Sequence, residues 1–243
     1  MPEPEIPALD RQERRRIVSD SVAVAVATGT YGLSFGAIGV SSGLGVLQTC
    51  AMSLLVFTGA SQFAFVGVIA AGGAPLLGAA SGLLLGVRNT LYGLKLTPLL
   101  GWYGARRAAA AHLVIDESTA MSVTRTSRAA ARIGFLTTGV GVFTLWNLST
   151  LAGALAGDHL GDPRDLGLDS AVGGAFLALL WPRLASRTAR LTAVLAAALA
   201  TALVPLTPAG IPVLAAGAVA LGIALRERDP RARTGDVNGE AAP

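Results

Sequence analysis

The chain has 243 residues, of which 52% are hydrophobic and only 14% are charged. This composition excludes an ordinary soluble domain and indicates a polytopic membrane protein. The net charge of +4 comes from short basic clusters at the edges of apolar segments. That distribution is typical of topology signals, and it argues against a nucleic-acid-binding face.

The two ends of the chain are polar. Residues 1–18 end in the stretch RQERRRIV, and apolar sequence then continues without the small-residue cleavage site of a signal peptide. We expect a cytoplasmic N-terminus at 1–18, a single transmembrane transport domain at 19–225, and a disordered cytoplasmic tail at 226–243.

A long uncharged run occupies residues 21–87, where Asp, Glu, Lys, Arg and His are all absent. As one helix rising about 1.5 Å per residue it would extend roughly 100 Å, whereas a bilayer's hydrocarbon core is about 30 Å thick. The run must therefore fold back within the membrane. Gly- and Pro-containing turns divide it into helix one at 19–40, helix two at 46–70 and a third segment that begins at 75.

The third apolar segment, residues 75–103, is interrupted by the polar residues Arg88, Asn89 and Lys95. It is either one long tilted helix or two half-helices that meet at an unwound point. After a more polar region at 105–132, apolar sequence returns in three stretches, at 133–157, 168–182 and 191–225, the last divided by prolines into two short spans.

These segments predict an all-α fold, a polytopic membrane bundle of about seven to eight segments with the third one interrupted. The positive-inside rule places the N-terminus, the basic clusters at 125–132 and 183–190, and the C-terminus in the cytoplasm. This topology requires the region between helix two and residue 133 to begin and end on the same side of the membrane. The region 75–124 therefore either crosses twice, giving eight spans, or contains a re-entrant hairpin, giving six full crossings.

Arg88 is the first candidate for a substrate-binding residue. A guanidinium inside an apolar segment costs roughly 2.5–3.5 kcal/mol on insertion scales, and Arg binds a carboxylate in a bidentate geometry. The alternative is that Arg88 snorkels to the interface or fixes the topology. Asn89 and Tyr92 lie along the same segment, and a continuous helix would put Tyr92 on the face of Arg88.

Helix two carries a second polar point, Ser61-Gln62 within the stretch GASQ. A buried Gln amide needs partners, which either a neighbouring helix or a substrate supplies. Gly59 permits local unwinding, as in the broken helices of transporters.

Asp116 and Glu117 are a pair of adjacent carboxylates near the membrane portion. Either is a candidate carrier of the proton that couples transport, because burial favours the neutral form of a carboxylate. The alternatives are a solvated loop or an ion pair with Arg106 or Arg125. Asn147 completes the set of substrate-binding candidates.

Several site classes find no support in the sequence. Cys50 is the only cysteine, so no intrachain disulfide can form, and no cluster of metal-ligating residues or phosphate-binding Gly-rich loop is present. We therefore predict no metal and no cofactor. An intramembrane enzyme with Ser61 in the GASQ motif remains an alternative, as does a passive channel or an assembly subunit.

Several stretches resemble the AzlC family, the large subunit of bacterial branched-chain amino acid exporters. They are SLLVFTGASQFAFVGVIAAGGAPL (53–76), LLLGVRNTLYG (83–93), HLVIDESTAM (112–121), WNLSTLAGALAG (146–157) and GLDSAVGGAFLALL (167–180). The resemblance implies a proton-motive-force-driven exporter in the bacterial inner membrane. It also implies a partner, a small, separately encoded membrane subunit of the AzlD type.

We therefore expect a membrane permease, not an enzyme, that exports branched-chain or similar small neutral amino acids. Gln62 and Arg88 are expected to face a common cavity between helix two and the third segment. A faint internal echo relates YGLS at 31–34 to WNLS at 146–149, and a repeat of the kind found in transporters is left open. The predicted substrate-binding residues are Ser61, Gln62, Arg88, Asn89, Tyr92 and Asn147.

Overall fold

The computed structural model describes residues 9–159, 177, 180, 181 and 184–228, and the regular structure within these ranges is entirely helical. The span predicted at 168–182 lies almost wholly outside the described residues, as does most of the tail at 226–243. The helices are α1 Arg11–Gly29, α2 Tyr31–Ser41, α3 Val46–Leu55, α4 Ala60–Ala70, α5 Pro75–Leu100, α6 Gly104–His112, α7 Asp116–Val123, α8 Arg128–His159, α9 Arg187–Leu203 and α10 Ile211–Arg228.

Among the residues that the structure describes, two helical stretches are long and apolar enough to cross a membrane, judged by length and composition. One is Arg11–Ser41, in which α2 continues α1 past Thr30, and the other is Arg128–Asp158 in α8. Helix one therefore begins before its predicted start at residue 19. The predicted number of seven to eight membrane segments stays a prediction.

The two long stretches pack against each other as parallel helices. Gly32 lies against Trp146, and Gly36, one turn later, lies against Thr150, also one turn later. A Cβ atom on Gly36 would collide with the carbonyl oxygen of Thr150. Small residues thus allow the two backbones to approach directly, as is common between membrane helices.

Helix two is broken in the middle. α3 ends at Leu55, and α4 begins at Ala60 after an unwound segment, residues 56–59, that we call the break. Gly59 has φ 62° and ψ −90°, a left-handed backbone that glycine adopts without strain. The unwinding predicted at Gly59 is confirmed.

The third segment, in contrast, is one continuous helix. α5 runs from Pro75 to Leu100 through Arg88 and Asn89, and Pro98 comes only in its last turn. The predicted interruption of this segment is wrong, because polar side chains leave the backbone hydrogen bonds of a helix intact. The helix ends at Gly101, which has the left-handed conformation common after a helix C-terminus.

The polar region after α5 contains two short helices, α6 of nine and α7 of eight residues. At about 1.5 Å per residue, neither is long enough to cross a hydrocarbon core of about 30 Å alone. No single helix therefore crosses at 108–124, as the eight-span alternative had required. α7 packs on α8, which is one of the two helices of the parallel pair.

Candidate functional site

The side chain of Arg88 forms an ion pair with Asp116. Arg88 Nη1, in α5, lies 2.9 Å from Asp116 Oδ2, in the first turn of α7. Both side chains are about three-quarters buried, with 28% and 24% of their surfaces exposed. The sequence left open a pair with Arg106 or Arg125. Asp116 is paired with Arg88, and Arg125 Nη2 lies 3.9 Å from Asp20 Oδ2.

The ion pair borders a cavity of about 230 Å³, which we call the ion-pair cavity. Glu117 and Tyr31 also line its polar side. The break and the first residues of α4 and α7 lie in its wall. Because helix N-termini carry partial positive charge and unpaired N–H groups, they favour an anionic group such as a carboxylate.

Much of the remaining lining of the ion-pair cavity is apolar and aromatic. Phe57, Phe63, Val142 and Trp146 line it, and all four are buried. The rings of Phe63 and Trp146 pack edge to face, with centroids 6.1 Å apart. The lining thus combines charged groups with apolar side chains, as an amino acid with a hydrocarbon side chain requires.

Three polar atoms around this cavity are buried without a hydrogen-bond partner in the described part of the chain. They are Thr58 Oγ1, Arg88 Nε and Trp146 Nε1. A buried donor or acceptor that lacks a partner costs about 1–3 kcal/mol. A ligand that supplies partners to these atoms gains the corresponding free energy.

Gln62 holds the break together. Its Oε1 accepts a hydrogen bond from the Gly59 N–H at 3.2 Å, and its Nε2 donates to the Met52 carbonyl at 3.4 Å. The side chain is fully buried and bridges the last turn of α3 to the start of α4. Its amide is therefore engaged with the backbone, and the predicted contact between Gln62 and substrate stays a prediction.

A second, larger hollow lies on the other side of the break. It is an open, mainly apolar groove of about 1380 Å³, bordered by α3, α4, α5 and α6. Ser61, Gln62 and Asn89 line this groove, whereas Arg88 lines the ion-pair cavity. The predicted common cavity for Gln62 and Arg88 is therefore wrong.

The last two predicted residues, Tyr92 and Asn147, are not among the residues that line the two hollows. Tyr92 packs against the apolar cluster that contains Leu96 and Phe135. Asn147 Nδ2 donates to the Phe143 carbonyl at 2.8 Å, four residues back along α8. Trp146, which precedes Asn147 in the sequence, lines the ion-pair cavity.

Neither a metal centre nor an activated serine is found in the part of the chain that the structure describes. No group of three or more His, Cys, Asp or Glu side chains there is placed to hold a metal ion. Ser61 Oγ has no hydrogen-bond partner among the described residues, and the nearby ring of His112 bonds the Leu54 carbonyl at 2.9 Å. A nucleophilic serine would need a base within hydrogen-bond reach.

Comparison with known proteins gives one match. The sequence model of the family described as AzlC protein matches residues 23–160, which is more than half of the chain. The chain belongs to the AzlC family. No curated protein and no solved structure matches it.

AzlC proteins are a membrane family generally associated with branched-chain amino acid transport, and the family is not one of enzymes. The residues matched by the AzlC family include the end of α1 and all of α2 to α8, and therefore the ion pair, the break and most of the ion-pair cavity. The stretch at 167–180 that also resembled the family lies beyond the match.

Most of the lining of the ion-pair cavity was not predicted as site residues, including Tyr31, Thr58, Phe63 and Trp146. Tyr31 and Trp146 begin the two stretches that echo each other, YGLS and WNLS. Because α2 and α8 pack in parallel, equivalent positions on the two helices come close together. The echo was therefore the available signal for these two aromatic residues.

Proposed function

We propose that this AzlC protein is a permease that exports branched-chain or similar small neutral amino acids, which bind in the ion-pair cavity. The observation that carries the proposal is the Arg88–Asp116 pair at 2.9 Å in the wall of a cavity that is also lined by buried apolar side chains. A zwitterion with a hydrocarbon side chain presents the complementary groups, namely a carboxylate, an ammonium and an apolar side chain.

In the proposed complex, the substrate carboxylate binds the Arg88 guanidinium near the N-termini of α4 and α7. The ammonium group binds Asp116 or Glu117, and the side chain packs between Val142 and Trp146. The volume of about 230 Å³ lies below the roughly 300–1,000 Å³ of pockets for drug-sized ligands. It suits a ligand the size of one amino acid.

The same carboxylates give a simple route to proton coupling. The charged and titratable groups that line the cavity are Arg88, Asp116, Glu117 and Tyr31. A proton on Asp116 removes the negative charge that holds the substrate ammonium, so a proton and an amino acid compete for one carboxylate. Such competition is what an exporter driven by the proton motive force requires, because each ligand then displaces the other.

The proposed location is the bacterial inner membrane, with the N-terminus in the cytoplasm. The parallel packing of α1 and α8 supports this orientation, since both helices begin in arginine-rich sequence on the same side of the bundle. Arg125, just before α8, lies 3.9 Å from Asp20 in α1. Basic residues at membrane-helix ends favour the cytoplasmic side.

We also propose that the chain works with a small AzlD-type membrane subunit. In support, α5 also has exposed apolar residues outside the groove lining, with Leu76 and Leu91 exposed by 82% and 60%. A membrane helix with such residues packs against lipid or against another membrane helix.

The test is transport in reconstituted vesicles. Vesicles are loaded with labelled leucine, isoleucine, valine or methionine, with and without the small subunit, and efflux is measured under an imposed proton gradient. We expect gradient-dependent efflux of at least one of these amino acids and its loss in Arg88→Ala, with Arg106→Ala as the matched control, because Arg106 is exposed and is not among the residues that line either hollow. Absence of transport for all four overturns the substrate proposal.

Two further outcomes of this test are informative. Efflux that needs no proton gradient favours a passive channel. Full activity of an abundant, membrane-inserted Arg88→Ala variant removes Arg88 from the mechanism.

A further inference from the structure

The ion-pair cavity and the apolar groove share a wall. Phe57 and Thr58, both in the break, line the two hollows at the same time. The break forms this wall. Gln62 Oε1 accepts a hydrogen bond from the Gly59 N–H in the break, and the His112 ring bonds the Leu54 carbonyl just before it. A substrate that passes Phe57 and Thr58 would move from the ion-pair cavity into the groove.

The groove has one polar point close to this wall. Ser61 Oγ and Asn89 Oδ1 are both buried without a hydrogen-bond partner among the residues described, and Ser61 is only 3% exposed. Gly86 lies beside them: a Cβ built there would stand 3.5 Å from Ser61 Oγ, and Asn89 follows it at i+3 on the same helix face. The two oxygens therefore occupy neighbouring places in the groove wall.

Arg88 and Asn89 are consecutive residues of α5 that serve different hollows. Consecutive residues of an α-helix point about 100° apart, since the helix has 3.6 residues per turn. Arg88 accordingly reaches the ion-pair cavity, and Asn89 reaches the groove. α5 thus presents a polar side chain to each hollow from neighbouring positions, Arg88 to the ion-pair cavity and Asn89 to the groove.

We propose that Ser61 and Asn89 form a second subsite for the transported amino acid, in which the two oxygens accept hydrogen bonds from its ammonium group. This inference rests on the proposed function. Both groups are uncharged, so the second subsite binds the ammonium more weakly than the carboxylates of the ion-pair cavity do. The apolar lining of the groove accommodates the hydrocarbon side chain while the amino acid passes along α5.

The experiment compares equilibrium binding with transport in the full-length protein. Binding of labelled leucine to purified protein and its gradient-driven efflux from vesicles are measured for a Ser61→Ala/Asn89→Leu double variant. We expect binding to change by less than about twofold and the initial efflux rate to fall at least about tenfold, the effect of roughly one hydrogen bond. Thr192→Val in α9 is the matched control, because Thr192 is not among the residues that line either hollow and its hydroxyl donates to the Thr188 carbonyl at 2.8 Å.

A second variant guards against loss of folding. Asn89→Asp adds a negative charge beside Ser61, and we expect tighter leucine binding together with slower efflux. Unchanged efflux in both variants overturns the second subsite. So does equal loss of binding and transport in the double variant, provided that the protein elutes as a single folded species.

Arg88→Ala separates this inference from the proposed function. If Arg88→Ala binds and exports leucine like the wild type, the site in the ion-pair cavity is wrong, whatever the groove variants do. If Arg88→Ala loses binding while the groove variants keep both binding and efflux, the second subsite alone is wrong.

Discussion

Arg88 Nη1 and Asp116 Oδ2, 2.9 Å apart, join the middle of the continuous helix α5 to the first residue of the short helix α7. The pair closes one side of the ion-pair cavity. Any ligand or proton that alters this contact therefore alters how α7 is held against α5. For a transporter, this link offers a direct connection between binding and conformational change.

Asp116→Asn tests whether the carboxylate carries the coupling proton. The amide has nearly the same shape but takes up no proton and carries no charge for the substrate ammonium, so we expect weaker leucine binding and a residual efflux and exchange that no longer respond to the proton gradient. The measurement compares net efflux under a proton gradient with exchange of labelled for unlabelled leucine. Asp20→Asn is the control, since the Asp20 side chain is exposed and lies 3.9 Å from Arg125. Intact gradient dependence in Asp116→Asn would transfer the role to Glu117.

Gln62→Leu is expected to destabilise the protein through the break. The substitution leaves the Gly59 N–H without its partner, at a cost of about 1–3 kcal/mol for a buried group. Gln48 supplies a matched control, because its Oε1 accepts from the Gly45 N–H at 2.8 Å in the same way but at an exposed helix start. Thermal unfolding in detergent should show a clearly lower midpoint for Gln62→Leu than for Gln48→Leu. Equal shifts in the two variants would mean that Gln62 has no special role in the break.

These two glutamines explain why the break was only partly predictable. Both α3 and α4 begin with the pattern Gly-x-x-Gln, at 45–48 and 59–62, and in each case the Gln side chain caps the Gly N–H. Half of a capping box is thus visible in the sequence. The Gly-containing turn before residue 46, and not this pattern, predicts the helix start there, and the second copy is interpreted as a polar site because it lies within an apolar run.

The Arg88–Asp116 pair could not be predicted in the same way. The two residues are separated by a helix end and the whole of α6, and nothing in the local pattern decides which of several arginines reaches Asp116. The same applies to the division of the polar residues between two hollows. That division depends on the rotation of α5 against the break, which is decided by packing between helices and has no local sequence pattern.

The crossing of α2 and α8 predicts a strong effect of glycine substitution. A side chain at Gly36 would collide with the Thr150 backbone, so Gly36→Val should separate the helices and destabilise the protein by about 1–3 kcal/mol or more. Gly67→Ala in α4 is the control, because a Cβ there meets no atom within 4 Å, and a gain of about 0.5–1 kcal/mol is expected from helix propensity. Thermal unfolding and folded yield measure both. A Gly36→Val variant as stable as the wild type would contradict the close backbone contact.

Substitutions of apolar residues that line the ion-pair cavity should change the selectivity between amino acids without removing transport. Val142 is buried in the cavity wall, so Val142→Ala adds space and should favour leucine and methionine over valine, within the roughly 10–200-fold range that one or two methylenes allow. Trp146→Phe keeps an aromatic ring but removes the buried Nε1 donor, and we expect weaker binding of all four amino acids alike. Competition between labelled valine and unlabelled leucine or methionine, measured by efflux, distinguishes the two effects. Val142→Leu is the reciprocal variant and should shift the preference towards valine. If neither Val142 substitution changes the order of preference, the hydrocarbon side chain of the substrate binds elsewhere.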